Sequence, residues 1–245
     1  MLQMRMLKEE DINKMIKRNI SWKEHKVISI QTRKGIFVIA QMLKDPFIRF
    51  YKLFRTDENW DKIDLYNCET LFTVAVTRQF LKSSHITYQK NAIADKERED
   101  SKIWIHQKYG TRKVKVWEGT ENEEECLILG NEPGGALVEK YIWWSPTPGN
   151  AVRKHPSGVF DALLMENIPL NADEIIDKYE LTNLGIYPGL NERLYLCYFL
   201  NRIVDPYKDL VFRREIPLDY KVAIDIIALG GNSDVQERIL NNYFI

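Results

Sequence analysis

Strand-like segments occupy the first part of this chain, and helix-like segments follow them. Strands that precede helices without alternating with them do not form the βαβ units of a parallel sheet, and this order is typical of an α+β protein. We therefore predict a β-rich domain over residues 1–145, built as an antiparallel sheet or a barrel. A connection over 146–165 and a helical subdomain over 166–245 complete the prediction.

The strands are predicted from short runs rich in Ile, Val and aromatic residues, several of them with a period of two. Turn residues separate the runs, and Tyr109-Gly110 predicts a hairpin between the two strands beside it. Pro133-Gly134-Gly135 predicts a turn between the next two. The charged stretch 91–101 is predicted to be an exposed loop or a solvated helix. The predicted strands cover residues 26–31, 35–43, 47–54, 71–77, 102–107, 112–118, 126–130 and 137–144.

Five helices are predicted from apolar spacing and capping residues. Asn171 followed by Glu174 resembles a capping box, and the helix after Asn191 is apolar nearly all round, which is typical of a buried central helix. Asp219 is expected to begin a further helix. The predicted helices cover residues 6–18, 172–180, 191–202, 219–229 and 233–243.

The cysteine pattern and the apolar runs predict a cytoplasmic protein. Cys68, Cys126 and Cys197 are widely spaced and odd in number, so we expect neither a disulfide framework nor a Cys-x-x-Cys metal site. No apolar run reaches the length of a signal peptide or of a membrane span. We therefore expect no membrane association.

The net charge of zero conceals two oppositely charged halves. Residues 1–117 carry 24 Lys and Arg against 14 Asp and Glu, a net of +10, and the remainder carries the opposing −10. Such asymmetry indicates either a face that attracts a partner of opposite charge or two parts that dock on each other.

No catalytic motif stands out in the sequence. Neither a P-loop nor a Gly-x-Ser-x-Gly elbow is present, and the four histidines lack the His-Glu-x-x-His spacing. We therefore expect no enzyme activity, no catalytic residues, no metal and no cofactor.

Two alternatives remain open. A metal-dependent nuclease could use Asp205 or Asp209 with Asp219 and Lys221, because such enzymes need paired carboxylates and a lysine. A nucleic-acid-binding accessory protein could use the predicted 102–117 hairpin, where basic and aromatic residues alternate. Those basic and aromatic residues are Lys102, Trp104, Lys108, Tyr109, Arg112, Lys113, Lys115 and Trp117.

An acidic run is the most distinctive surface feature. Five glutamates fall within eight residues, so the run is either solvated or neutralised by a cationic partner. Trp143 and Trp144 are adjacent on a predicted strand, so one of them points away from the core. An exposed Trp near acidic residues suits a protein interface. The predicted partner-binding residues are Glu118, Glu121, Glu123, Glu124, Glu125, Trp143 and Trp144.

The segment from Gly35 to Leu81 resembles the immunity protein 26 group of bacterial polymorphic-toxin systems. The resemblance rests on the apolar runs Gly-Ile-Phe-Val-Ile-Ala and Leu-Phe-Thr-Val-Ala-Val, with Arg49-Phe50 between them. It covers under a quarter of the chain and brings no catalytic residue.

The resemblance implies a cytoplasmic antitoxin of the kind found in contact-dependent growth inhibition. Such a protein binds and neutralises one cognate toxin domain, which we expect to be a nuclease. An acidic surface would mimic the nucleic acid and attract a cationic cleft. Neither a nucleic acid nor a membrane is expected as partner.

Overall fold

The computed structural model describes residues 20–141 and 159–228. The helices predicted at 6–18 and 233–243, Trp143 and Trp144, and the first part of the predicted connection lie outside these residues. Within the described ranges the class is α+β, as predicted, with most strands in the N-terminal part and a helical part that is small.

The largest element is a curled six-stranded sheet, and its neighbouring strands are antiparallel except at one edge. The predicted strands at 26–31, 35–43, 47–54 and 71–77 are all confirmed, while β5 and β11 were not predicted. Asp45-Pro46 lies in the turn between β2 and β3, as expected for a residue that cannot donate a ladder hydrogen bond. The sheet order is β11-β4-β3-β2-β1-β5, with β1 Val27–Gln31, β2 Phe37–Met42, β3 Phe47–Arg55, β4 Thr70–Val76, β5 Ile86–Tyr88 and β11 Leu184–Gly185.

The four strands that follow β5 along the chain form one long ribbon of two antiparallel arms. The strands at 102–107, 112–118 and 126–130 were predicted correctly, but their pairing was not. Strand β6 (Ile103–Gln107) pairs with β9 (Gly135–Tyr141), and β7 (Thr111–Val116) pairs with β8 (Glu124–Leu129). The hairpin predicted at Tyr109-Gly110 is therefore wrong, because β6 and β7 follow each other along one arm. An unpredicted strand, β10 (Val159–Met165), pairs with β9 and occupies the end of the predicted connection.

A short segment joins the ribbon to the curled sheet. Ile105 donates its backbone N–H to Glu180 at 2.8 Å and accepts one from Thr182 at 2.9 Å, while β11, a few residues later, pairs with β4 in parallel. Residues 180–185 therefore link β6 to β4 by hydrogen bonds.

Five short helices are described. The central helix is buried on nearly every side, as its composition predicts. The capping box at Asn171 is wrong, because Ala172 stands at the N-cap of the helix and makes no side-chain cap bond. Asp219 lies within a 3-10 turn that precedes the last described helix. The helices are α1 Arg78–Ser83, α2 Asp173–Lys178, α3 Gly189–Phe199, α4 Pro206–Val211 and α5 Lys221–Ala228.

One apolar core unites the sheet, the ribbon and the helices. Ile28 of β1, Ile128 of β8 and Leu194 of α3 all belong to it, and they come from both the predicted β-rich domain and the predicted helical subdomain. A second, smaller core lies around Trp60 and Tyr51 and includes Val27 and Ile39, the neighbours of Ile28 and Val38 along β1 and β2. Since neighbouring strand residues point to opposite faces, the curled sheet is covered on both sides. No described helix is long and apolar enough to cross a membrane.

Candidate functional site

The β7–β8 end of the ribbon carries the predicted acidic run, and its two faces differ sharply. Its register places alternate residues on opposite faces, as the sequence pattern of β7 predicts. The inner face is buried or half-buried and the outer face is exposed. The inner residues are Arg112, Val114, Val116, Glu124, Cys126 and Ile128, and the outer residues are Thr111, Lys113, Lys115, Glu125, Leu127 and Leu129.

The inner face is fixed to the C-terminal helices. Trp117, just after β7, donates its indole N–H to the carbonyl of Ile216 at 2.7 Å. Cys126 lies with its sulfur 3.9 Å from the carbonyl of Ile224 in α5, and burial raises the pKa of this thiol to about 12. A thiol held in its neutral form is a poor nucleophile, so this face serves packing.

The outer face combines apolar and charged side chains. Leu127 and Leu129 are 58% and 50% exposed, two residues apart on one strand. The Lys113 ammonium lies 2.6 Å from the Glu125 carboxylate beside them. The face therefore places two exposed leucines next to exposed charged side chains, a combination that is found in protein interfaces.

The predicted acidic run curls around the turn that joins β7 to β8. Lys115 lies 3.5 Å from Glu118 and 3.4 Å from Glu123. A hydrogen bond from the backbone N–H of Gly119, together with Lys115, lowers the pKa of Glu123. Like charges in this run were expected to need solvent or a cationic partner, and lysines of the same chain supply part of that compensation.

The five glutamates do not all face the same way. Glu124 points inward and lies 3.2 Å from Lys221 of α5, whereas Glu125 is on the outer face. Glu118, Glu121 and Glu123 are exposed at the turn. Four of the predicted partner-binding residues therefore share the exposed turn and outer face, Glu124 belongs to the contact with the helix, and Trp143 and Trp144 lie outside the described residues.

The two tryptophans of the 102–117 segment do not form the exposed stacking surface that the nucleic-acid-binding alternative needs. Trp104 is only 6% exposed, and Trp117 is held against Ile216. Lys108 pairs with Glu132 at 2.7 Å, and Arg112 donates to backbone carbonyls. Tyr109 alone of the three aromatics is widely exposed, at 79%.

Asp205 and Asp209 of the nuclease alternative have separate partners. Asp209 pairs with Arg214 at 3.4 Å, and Asp205 caps α4 by accepting from the N–H of Lys208 at 3.1 Å. Lys221 pairs with Glu124 and Asp225. Within residues 20–141 and 159–228, no group of three or more His, Cys, Asp or Glu side chains could hold a metal ion.

A buried polar network that the sequence did not indicate lies on the face of β2, β3 and β4 that carries the smaller core around Tyr51. Arg49 is 1% exposed, and its guanidinium contacts Asp100 at 3.0 Å. Asp95, in the stretch predicted to be an exposed loop or solvated helix, is 3% exposed and pairs with Arg98 at 2.8 Å. The one local signal was a lone arginine at an otherwise apolar run of β3, between Ile48 and Phe50.

Fold and surface together define an α+β protein with a curled sheet, a long β-ribbon and a partly apolar outer ribbon face. The chain belongs to the family described as a domain of unknown function (DUF8309), whose family model matches residues 16–214. No curated protein and no solved structure matches the chain.

Proposed function

We propose that this protein binds a cognate toxin domain through the outer face of β7–β8 and neutralises it, as an immunity protein does. The observation that carries the proposal is the pair of exposed leucines, Leu127 and Leu129, on a strand whose other face is buried. Exposed apolar side chains grouped on one rigid surface favour association with a partner.

Rigidity supports this surface as an interface. Ile128 and Cys126 alternate with the two leucines and are buried in the core, so the strand that presents Leu127 and Leu129 is anchored on its other side. A surface that is already ordered loses little conformational entropy when a partner binds.

Exposed charges around the leucines support a charged partner. Lys113 and Glu125 are exposed by 70% and 46%, and pairs of this kind contribute little to folding. Their charges can therefore be reorganised by a partner. The exposed glutamates at the turn add negative charge that would steer a toxin with a cationic cleft and speed its association.

A binding experiment with a matched control tests the interface. The partner to be tested is the C-terminal domain of a large secreted protein encoded next to the gene for this chain, and the absence of such a gene would count against the proposal. We expect Leu127→Ser with Leu129→Ser to weaken binding about tenfold or more and to abolish protection of cells that express this domain. Leu163→Ser is the control, because Leu163 is 60% exposed on β10, outside the proposed face.

The outcomes separate function from location. If the wild-type chain neither binds nor protects against the adjacent toxin domain, the immunity proposal is wrong. If it protects but the double serine variant protects equally, the interface lies elsewhere on the molecule.

A charge variant tests steering. Glu121→Lys should slow association and weaken its dependence on salt, because Glu121 is exposed at the turn. Glu124 is unsuitable for this purpose, since it pairs with Lys221 of α5. Unchanged association kinetics would remove the turn from the proposed interface.

A further inference from the structure

Two cavities lie on either side of the segment 98–101. Their volumes are about 420 and 380 Å³, and Arg49, Thr73 and Asp100 line both of them. The segment is therefore a shared wall between two spaces, and each space is large enough for a small organic ligand.

Arg49 and Thr73 together form a receptor for one carboxylate oxygen. The Nε and Nη2 atoms of Arg49 each lie 3.0 Å from Oδ1 of Asp100, and the Thr73 hydroxyl donates to the same atom at 2.9 Å. The donors come from β3 and β4, so their positions are fixed by the sheet. The acceptor comes from an irregular segment, and its side chain is 33% exposed.

Contacts of polar and charged groups hold this segment against the sheet. Residues 95–101 contain no apolar side chain. Gln41 holds the backbone of Asp95 through hydrogen bonds of 2.8 and 2.9 Å, and Arg98 donates to the carbonyl of Cys68 at 2.9 Å. Arg49 donates to the carbonyl of Arg98 at 2.5 Å, and beyond Arg98 the carboxylate of Asp100 ties the segment to Arg49, so its release requires movement of 99–101.

The two cavities differ in charge. The larger one is lined by five cationic and four anionic side chains, with histidine counted as neutral, and the smaller one by three cationic and four anionic side chains. An anion that replaced Asp100 would therefore be better accommodated on the larger side. Leu43 and Phe47 line that side with Trp104, whose ring centroid lies 5.6 Å from that of Phe47.

We propose that the larger cavity binds an organic carboxylate that bears an apolar or aromatic group, and that this carboxylate replaces Asp100 on Arg49 and Thr73. Asp100 is then an internal ligand that occupies the site when no external carboxylate is bound. The charge-assisted donors select the carboxylate, and Phe47 and Trp104 contact the apolar group.

Phenylacetate is a suitable probe, and phenylacetamide is its neutral control. We expect the full chain to bind phenylacetate in a two-dimensional NMR titration, with shifts at Trp104 and Arg49. The Asp100→Ala variant, which removes the internal ligand, should bind it about tenfold more tightly than the wild type. Phenylacetamide should bind neither protein.

The matched control is Glu99→Ala, which removes the same charge from the same segment but no contact to Arg49. If Asp100→Ala and Glu99→Ala bind phenylacetate equally, or if Asp100→Ala does not bind it, the proposal is wrong. Thr73→Val in the Asp100→Ala background should reverse most of the gain, which a general change in charge would not do. None of these outcomes depends on the toxin partner, so this test is independent of the proposed function.

Discussion

Close ion pairs occur in two very different regions of this molecule. Arg193 of α3 lies 2.8 Å from Glu180 and 3.2 Å from Asp205, and each of the three side chains is at most 13% exposed. On the outer ribbon face, Lys113 lies 2.6 Å from Glu125, but these side chains are 70% and 46% exposed. Distance is similar in both regions, and solvent access is not.

The surroundings of an ion pair decide whether it supports the fold. In the buried network, burial opposes ionisation of Glu180, but Arg193 and Lys208 outweigh it and hold the pKa of Glu180 below its usual value. Removal of one partner would leave a charge in a medium that solvates it poorly. On the ribbon, water replaces either partner, so the fold does not depend on the pair and a binding partner can rearrange it.

The largest expected effect comes from breaking the buried network. Arg193→Met leaves Glu180 and Asp205 buried without their guanidinium partner, and should lower the free energy of unfolding by about 3–5 kcal/mol. Chemical denaturation measures this change. Lys113→Met is the matched change on the ribbon, and equal loss in both variants would contradict the comparison. If Arg193→Met does not fold, Glu180→Gln provides a milder test, because it keeps the shape and removes one charge.

The two faces of β8 extend the comparison to apolar residues. Ile128 is 1% exposed and Leu127 is 58% exposed, although they are adjacent. Ile128→Ala should lower the free energy of unfolding by roughly 2–5 kcal/mol, because it leaves a cavity in the core. Leu127→Ala should change it by less than about 0.5 kcal/mol. Similar urea midpoints for the two variants would show that β8 is not buried on one face as described.

Arg112 connects the ribbon to the helical part and should have an intermediate effect. Its guanidinium donates to the carbonyls of Leu210 and Val211 at 3.2 and 2.8 Å, and to that of Gly130 at 2.9 Å. Arg112→Gln should destabilise the protein by about 1–3 kcal/mol, because the carbonyls at the end of α4 lose one of their donors. Thermal unfolding compares it with Lys108→Gln, whose amine pairs with the exposed Glu132. A larger effect of Lys108→Gln would overturn this assignment.

The smallest effect is expected for the exposed ribbon pair itself. A double-mutant cycle of Lys113→Ala and Glu125→Ala should give a coupling energy of about 0.2–1 kcal/mol, which falls as salt is added. Urea unfolding at low and high salt measures it. A coupling energy above about 2 kcal/mol would show that the outer face is less solvated than its exposure indicates.

Features carried by neighbouring residues could be predicted. The alternation of lysine and valine in β7 placed Val114 and Val116 inward, and the apolar composition after Asn191 predicted the buried helix α3. Both follow from the periods of the strand and the helix, which depend on local geometry alone.

Features that join distant residues could not be predicted. Tyr109-Gly110 looks like a hairpin turn, yet β6 pairs with β9, because the ribbon continues through this bend. Arg49 and Asp100 are 51 positions apart, and the residues around each of them do not indicate that the two side chains pair. The acidic run was visible in the sequence, but which of its glutamates pairs with Lys221 depends on how α5 packs against β8.

The amino-acid sequence sufficed to predict the class of the fold, the position of most strands and the buried side of β7, because these depend on consecutive side chains and their preference for water or core. Strand pairing, the burial of charges together and the exposure of particular leucines became known from the folded structure. Those contacts form between segments far apart in the chain, and their energies depend on a solvent exposure that exists only after folding.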